Sequence, residues 1–461
     1  MIKFHAGRVS ALVASALVAT ACGGEDMQTP TQTEPTTLKV RLENVAPFTQ
    51  LKSGVYNTRV GGTAPGPLAP GDAFEFSFTA GKGQKLAFAS MLGQSNDWVF
   101  ATAPGGMDLY LENGNPISGD VTANVSLWDV GTELNEEPAV GPHTLPNQAS
   151  SVDGPGAADP DPSVRKIGSQ TTLSNGSTFN VPAVSSMIKV TVTPNAATRQ
   201  FTVRIQNVSS DTSTMQTSQG YKPVRISPGV WTLTTGGEPL FTAGQKDRGQ
   251  GLEALAEMGQ VTALADSLAK TTGTATPVSP GVYLVHQGSD TLFQVGVPDP
   301  KQGLERIAES GNITPLYETM KGWLASNAQL GTFTTPEGAT SAGPAKPGNA
   351  YTFEVSARPG DRLTFVTMYG MSNDWFFGTT PEGIDLFDAA GEPVTGDLSA
   401  SLHLYDAGTE LSEEPAIGPN TGPQQSDPDM GLADTDNKIR EVTSATYATP
   451  VASHLKLTIS R

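Results

Sequence analysis

VSLWDVGTELNEEP at Val125–Pro138 returns as LHLYDAGTELSEEP at Leu402–Pro415, and SNDW at Ser95–Trp98 returns as SNDW at Ser372–Trp375. Each longer string alternates apolar and polar residues up to an aspartate, then breaks at Gly131 or Gly408 into an acidic loop. That is the pattern of a half-buried strand running into a turn. Working outward, Gly66–Pro142 lies over Gly343–Pro419 without a gap, at about half identity, which composition alone does not produce. The chain carries a duplicated folding unit. Beside the turn glycines, the copies share acids: Asp97/Asp374, Asp129/Asp406, Glu133/Glu410, Glu136/Glu413 and Glu137/Glu414.

Period-two strings recur along both halves, among them Leu38–Leu42, Phe74–Phe78, Leu86–Ser90, Ile188–Val192, Phe201–Ile205, Phe353–Val355, Leu363–Thr367 and Leu455–Ile459. Alternation of this kind puts one face in a core and one in water, and Gly/Pro/Asn turns separate the strings. Each copy opens with a strand followed by Asn-Val, at Asn44-Val45 and Asn207-Val208. These features predict an all-β chain of two antiparallel β-sandwiches in tandem, residues 37–194 and 198–461, joined by a linker of a few residues. One block breaks the pattern and is itself doubled: Ser227-Pro-Gly-Val-Trp231 through Glu253 recurs as Ser279-Pro-Gly-Val-Tyr283 through Glu305. Within it Leu252, Leu255 and Ala256 stand at helical spacing with Gly259 as a cap, and Leu304, Ile307, Ala308 and Gly311 repeat the arrangement. It reads as a helical insertion over about 227–327 of the second unit, packed on an edge or end of the sandwich.

Lys3 and Arg8 precede an apolar run from Val9 to Ala21 that is too short to span a bilayer and stops at Ala19-Thr20-Ala21-Cys22. Residues 1–21 therefore read as a signal peptide of the bacterial lipoprotein kind, with Cys22, the only cysteine, as the lipidation site. Residues 22–36 read as a polar tether too poor in apolar surface to fold. The expected location is the cell envelope, on the outer membrane or cell surface, held through the lipid on Cys22. The formal charge of −18 argues against nucleic acid as a partner and favours cations or basic surfaces. With Cys22 consumed, no disulfide is available, so stability falls to hydrophobic cores and bound metal.

The run SxxxxSNDWxF, followed by a strand and DxGTExxEEP, resembles the spondin N-terminal domain, a family of extracellular matrix and bacterial secreted proteins. The matching text is Ser90–Phe100 with Val125–Pro138, and Thr367–Phe377 with Leu402–Pro415. The resemblance implies a C2-like antiparallel sandwich, one bound calcium ion per unit, and a role in adhesion or glycan recognition rather than catalysis. It also implies three carboxylate ligands: one on an early strand, the Asp before Trp, and the Asp before the Gly-Thr turn. By position these fall on Glu354, Asp374 and Asp406 in the second unit, and on Asp97 and Asp129 in the first. There Ser77 occupies the early-strand position, and Glu75, two residues earlier on the same face, stands in for it.

The chemistry holds without the family. Calcium takes about six to eight oxygens, and carboxylates from separate strands converge on it at one end of a sandwich. Clustered acids without a counter-ion raise one another's pKa. The competing reading makes Asp97 and Asp374 turn residues and Asp129 and Asp406 turn openers before Gly131 and Gly408. Glu133, Glu136, Glu137 and their copies are expected in a loop near the site, and the acidic loops at 153–161 and 427–436 as solvated. A carboxylate-based glycoside hydrolase lacks support, since no phosphate loop, nucleophile elbow or zinc-spaced histidines occur. Two functions stay in view: a calcium-dependent adhesin or glycan and protein binder, and a structural envelope lipoprotein in which calcium only stiffens loops.

Overall fold

Strands Ile188–Asn195 and Gln200–Asn207 are separated only by residues 196–199, a connection that closes an antiparallel hairpin. They pair along their whole length, from Ile188 opposite Asn207 to Asn195 opposite Gln200. This decides how the chain is shared out. In the computed structural model, which describes residues 34–145, 147–148, 154, 156–288, 290–322, 324, 328–443 and 450–461, Gln200–Asn207 belongs to the first sandwich. The expected signal peptide, most of the expected tether and Cys22 lie outside the described residues. Among these, no helix is long and apolar enough to cross a membrane.

The protein is all-β with two antiparallel sandwiches in tandem, as the alternation predicts. The small sheet of the first runs Ala73–Thr79, Gln200–Asn207, Ile188–Asn195, Gly119–Asp120. That of the second runs Ala350–Ala357, Thr36–Asn44, Leu455–Ser460, Gly396–Asp397. The amino-terminal strand, expected in the first unit, thus fills the place in the second that the hairpin leaves open. Val40 lies opposite Phe353 on one side and Ile459 on the other. The expected boundary between 194 and 198 cuts through the hairpin turn. The first sandwich is instead one continuous stretch, and the second is assembled from the two ends of the chain.

Each small sheet faces a larger one. The first large sheet runs Lys52–Tyr56, Ile226–Thr234, Lys85–Leu92, Trp98–Thr102, Val125–Asp129, Arg165–Lys166. The second runs Gln329–Phe333, Val278–His286, Arg362–Tyr369, Trp375–Gly378, His403–Asp406, Arg440–Glu441. The doubled helical block therefore serves both units: Ile226–Thr234 joins the first and Val278–His286 the second. Phe74, Phe88, Trp98 and Val203 meet in one core, and Val40, Phe365, Trp375 and Leu457 in the other. The helices cover the outer face of each large sheet rather than an edge. Leu252, Leu255 and Leu264 pack on Ala89, Val99 and Trp128, and Leu304, Ile307 and Leu316 on Val366, Phe376 and Tyr405. Gly259 and Gly311 end the first helix of each pair in the left-handed region, at φ 64° and 67°.

Two connections join the sandwiches and run side by side. Thr49 donates its N–H to Thr271 O at 2.9 Å, and Gly273 to Gln50 O at 2.8 Å. Asn44 and Asn207 play equivalent parts at the ends of the exchanged strands. The buried amide of Asn44 donates to the carbonyls of Thr276 and Ala345, and that of Asn207 to those of Leu68 and Val224. Lys39 and Glu354 stand directly opposite each other across the new strand pair, at the Cα spacing that a disulfide spans. Lys39→Cys with Glu354→Cys, in a chain whose Cys22 is replaced by Ser, should close an intramolecular disulfide on mild oxidation, read as a non-reducing mobility shift. No bond would form had the first strand stayed with the first unit.

Candidate metal centre

Every letter of SNDW ties one loop. Ser95 Oγ accepts the Trp98 N–H at 3.0 Å and donates to Leu92 O at 2.7 Å, closing the turn. The Asn96 amide donates to Leu134 O at 2.9 Å. Asp97 Oδ2 accepts the N–H groups of Thr132 and Glu133 at 3.0 and 3.2 Å. Trp98 fills the core, and its ring N–H donates to Asn135 Oδ1. The second unit repeats this. Ser372 holds the Trp375 N–H, Asn373 holds Leu411 O, and Asp374 Oδ2 accepts from Thr409 and Glu410 at 3.0 Å each. The other oxygen, Asp97 Oδ1 or Asp374 Oδ1, is buried without a hydrogen-bond partner.

The second aspartate of each pair lies across the strand ladder, since Trp98 pairs with Asp129 and Trp375 with Asp406. Asp129 Oδ1 and Asp406 Oδ1 accept from Gly131 and Gly408 at 2.8 and 2.7 Å, so both do open the tight turn. Those glycines sit at φ 75° and 70°, where a Cβ would strike Ser163 O at 2.7 Å and Lys438 O at 2.5 Å. The remaining oxygens meet arginine. Arg165 Nη2 donates to Asp129 Oδ2 at 2.7 Å and also to Asp159, and Arg440 Nη2 to Asp406 Oδ2 at 2.6 Å and to Asp434 Oδ2 at 2.5 Å.

The early-strand acids do not join. Glu354 lies on the exposed face of the small sheet of the second sandwich, and Glu75 on that of the first, where it pairs with Arg204 at 3.6 Å. The reason is the two-residue period: Tyr351 and Val355 point inward on one strand, and Phe74 and Phe76 on the other, which turns Glu354 and Glu75 to water. The three-carboxylate set implied by the resemblance is therefore not assembled. Its two aspartates are.

Other carboxylates come instead from the helices and the 129–137 and 406–414 loops. Thr409 gives its N–H to Asp374 and its hydroxyl to Glu309 Oε1 at 2.9 Å. Glu309 Oε2 accepts from the Asp429 N–H at 3.0 Å, and Glu410 Oε1 from Gly431 at 2.6 Å. In the first unit Glu257 accepts from Gly154, and Glu133 from Gly156. Glu133 and Glu410 are buried. Glu136 holds His143 and Glu413 holds Asn420, closing the far end of each loop. Glu137 reaches Ser218, whereas Glu414 reaches across to Lys52 and Thr79 of the first sandwich.

Asp374, Asp406, Glu309 and Glu410 are at most 3% exposed, and so are Asp97, Asp129, Glu257 and Glu133. Among the described residues one guanidinium per unit bonds to them. Burial drives their pKa values up: Asp374 to about 8, with the Asp406 charge adding, and Glu309 and Glu257 to about 7. Asp97 rises well above the usual carboxylate range for the same two reasons, burial and the Asp129 charge. A buried carboxylate left ionised and unpaired costs several kcal/mol, so each cluster must take up protons or a cation. Glu305, Glu309 and Asp429 each bring one oxygen within 4.8 Å of the other two. The donor set is all oxygen, which fits a hard cation.

The helical glutamates were legible: Glu253/Glu257 and Glu305/Glu309 recur with the doubled block, four residues apart on one helix face. Arg165 and Arg440 gave no comparable signal, since they lie beyond the ungapped match. No family model matches the chain, and no curated protein matches it.

Asp374 binds a proton in the folded state that the unfolded chain releases between about pH 4 and pH 8. Stability must fall as pH rises through that window, with Glu309 and Glu257 contributing in the same direction up to about 7. In chelator-treated protein the melting temperature should drop from about pH 5 to about pH 8. Asp374→Asn, which cannot ionise, should drop less. Equal slopes for the two proteins would show that Asp374 titrates normally.

Proposed function

We propose that this chain is an exported, lipid-anchored cell-envelope protein of the spondin type, a binding protein rather than an enzyme. In this reading its acidic loop ends take calcium and mediate adhesion to a glycan or protein surface. The observation that carries it is the imbalance of buried charge. Among the described residues Asp374, Asp406, Glu309 and Glu410 share one guanidinium, that of Arg440, and Asp374 Oδ1 and Glu410 Oε2 are buried without hydrogen-bond partners. A divalent cation would neutralise such a cluster at neutral pH, where Glu309, raised only to about 7, is no longer fully protonated. The carboxylates whose charge it would offset are Asp374, Glu309 and Glu410 in the second unit and Asp97, Glu257 and Glu133 in the first, while Glu354 and Glu75 take no part. The ion would supply charge neutralisation and loop rigidity.

One feature favours surface binding over a purely structural ion. At the acidic end of the second sandwich Leu411, Met430 and Leu432 are 53%, 57% and 74% exposed. The Leu411 N–H donates to Leu432 O at 2.6 Å, which brings these two exposed residues, and Met430 two residues before Leu432, to the loops beside Glu410. Apolar groups held in water next to a charged site mark a docking surface.

EGTA should lower the melting temperature of the intact chain and abolish its binding to glycan or cell-surface arrays, with calcium restoring both. Leu432→Ser with Met430→Ser should abolish array binding and leave melting unchanged. If EGTA lowers melting while binding persists, the ion is structural. If EGTA changes neither, the calcium reading fails.

A further inference from the structure

We infer that the second sandwich holds a divalent cation between Glu305 and Glu309 of the helix Leu304–Ser310 and Asp429 of the following acidic loop. The inference rests on the calcium reading above and locates the ion away from the Asp374–Asp406 pair. The oxygens of Glu305, Glu309 and Asp429 all lie within 4.8 Å of one another. Glu305 and Glu309 stand one turn apart on the same helix face. Glu309 is buried and Asp429 exposed, so the site is anchored in protein on one side and open to water on the other. That suits an ion that completes its shell with solvent.

An independent observation points to a ligand. Glu410 is 3% exposed, and its Oε2 is buried with no hydrogen-bond partner. The Asn373 amide, which lowers the Glu410 pKa, donates to Leu411 O. The orphan oxygen faces the same loop. Glu410 Oε1 takes the Gly431 N–H, and a Cβ on Gly431 would come within 2.4 Å of Glu410 Oε2. The Glu410 and Asp429 charges both act on Glu309. A fourth carboxylate, with one oxygen unpaired, thus stands beside the cluster. Arg306 pairs with Asp429 Oδ2 at 2.8 Å but is 42% exposed, so it competes with a cation only weakly.

The first sandwich supplies the internal control. Glu253, Glu257 and Glu133 recur there, but the backbone N–H that meets Glu257 belongs to Gly154, whereas the one that meets Glu309 belongs to Asp429. Both positions have positive φ, 72° for Gly154 and 62° for Asp429. Glycine adopts that conformation freely and aspartate does so with strain. The second unit carries its extra carboxylate at a position where the backbone favours none.

The test is calorimetric titration of the intact chain with calcium chloride. Asp429→Gly restores the residue of the first unit in a conformation glycine prefers, so folding should survive, checked by melting in EGTA. It should weaken the second-unit site by at least about tenfold, and Glu309→Gln by a similar factor. Glu354→Ala should change nothing. Should both Asp429→Gly and Glu309→Gln bind calcium as the parent does, while Asp374→Asn does not, the ion sits on the aspartate pair and this assignment is overturned although the calcium reading stands. A parent chain that binds no calcium overturns both.

Discussion

The turn at residues 196–199 constrains everything around it. A connection so short pairs the strands on either side of it, and Gln200–Asn207 is thereby committed to the first sandwich. The second sandwich then lacks a central strand of its small sheet, and Thr36–Asn44 enters between Ala350–Ala357 and Leu455–Ser460 to supply it. An unfilled gap there would leave two unpaired strand edges beside an open core. Once the amino-terminal strand is in the second unit, the chain must cross back, and it does so beside the crossing at 272–277. The loop 414–424 of the second sandwich reinforces the join: Gln84 donates to Ala416 O at 2.9 Å, and Arg199 to Gln424 Oε1 at 3.0 Å. Neither end of the chain can leave without opening the second core.

The acidic ends are built on this frame by one repeated device. A buried aspartate before a core tryptophan uses one oxygen to hold the next loop by its N–H groups and keeps the other unpaired. A second aspartate opens the turn and meets an arginine. The helices laid over each large sheet then add a buried glutamate, so three separate elements deliver charge to one place. Hydrogen bonds from backbone N–H groups stabilise the ionised forms, but burial outweighs them, and the pKa values rise. The two units differ where function has room to differ. The second has Asp429 where the first has Gly154, and it shows an apolar rim at Leu411, Met430 and Leu432.

The sequence disclosed the device but not all its parts. Duplication singled out Asp97, Asp129, Asp374 and Asp406, and the structure brings each pair together. It also flagged Glu133 and Glu410, although nothing in the string distinguishes a glutamate folded inward from one in solvent. Glu354 and Glu75 were attractive only by analogy, and the alternation of their own strands already turned them outward. Glu257 and Glu309 lay on helices whose apolar residues were easier to read than their acids.

What the sequence determined by itself was local and periodic: strands from alternation, helix ends from Gly259 and Gly311, turns from Gly131 and Gly408, and the twofold internal repeat. These follow from backbone sterics and from one-sided burial, which act within a few residues. Which sheet a strand joins was decided by the tertiary structure. Alternation fixes the face a side chain uses but not the partner its backbone finds, and Thr36–Asn44 and Gln200–Asn207 are alike enough to exchange places. The acidic clusters were decided in the same way, because charges from a strand turn, a loop and a helix meet only after the layers have packed.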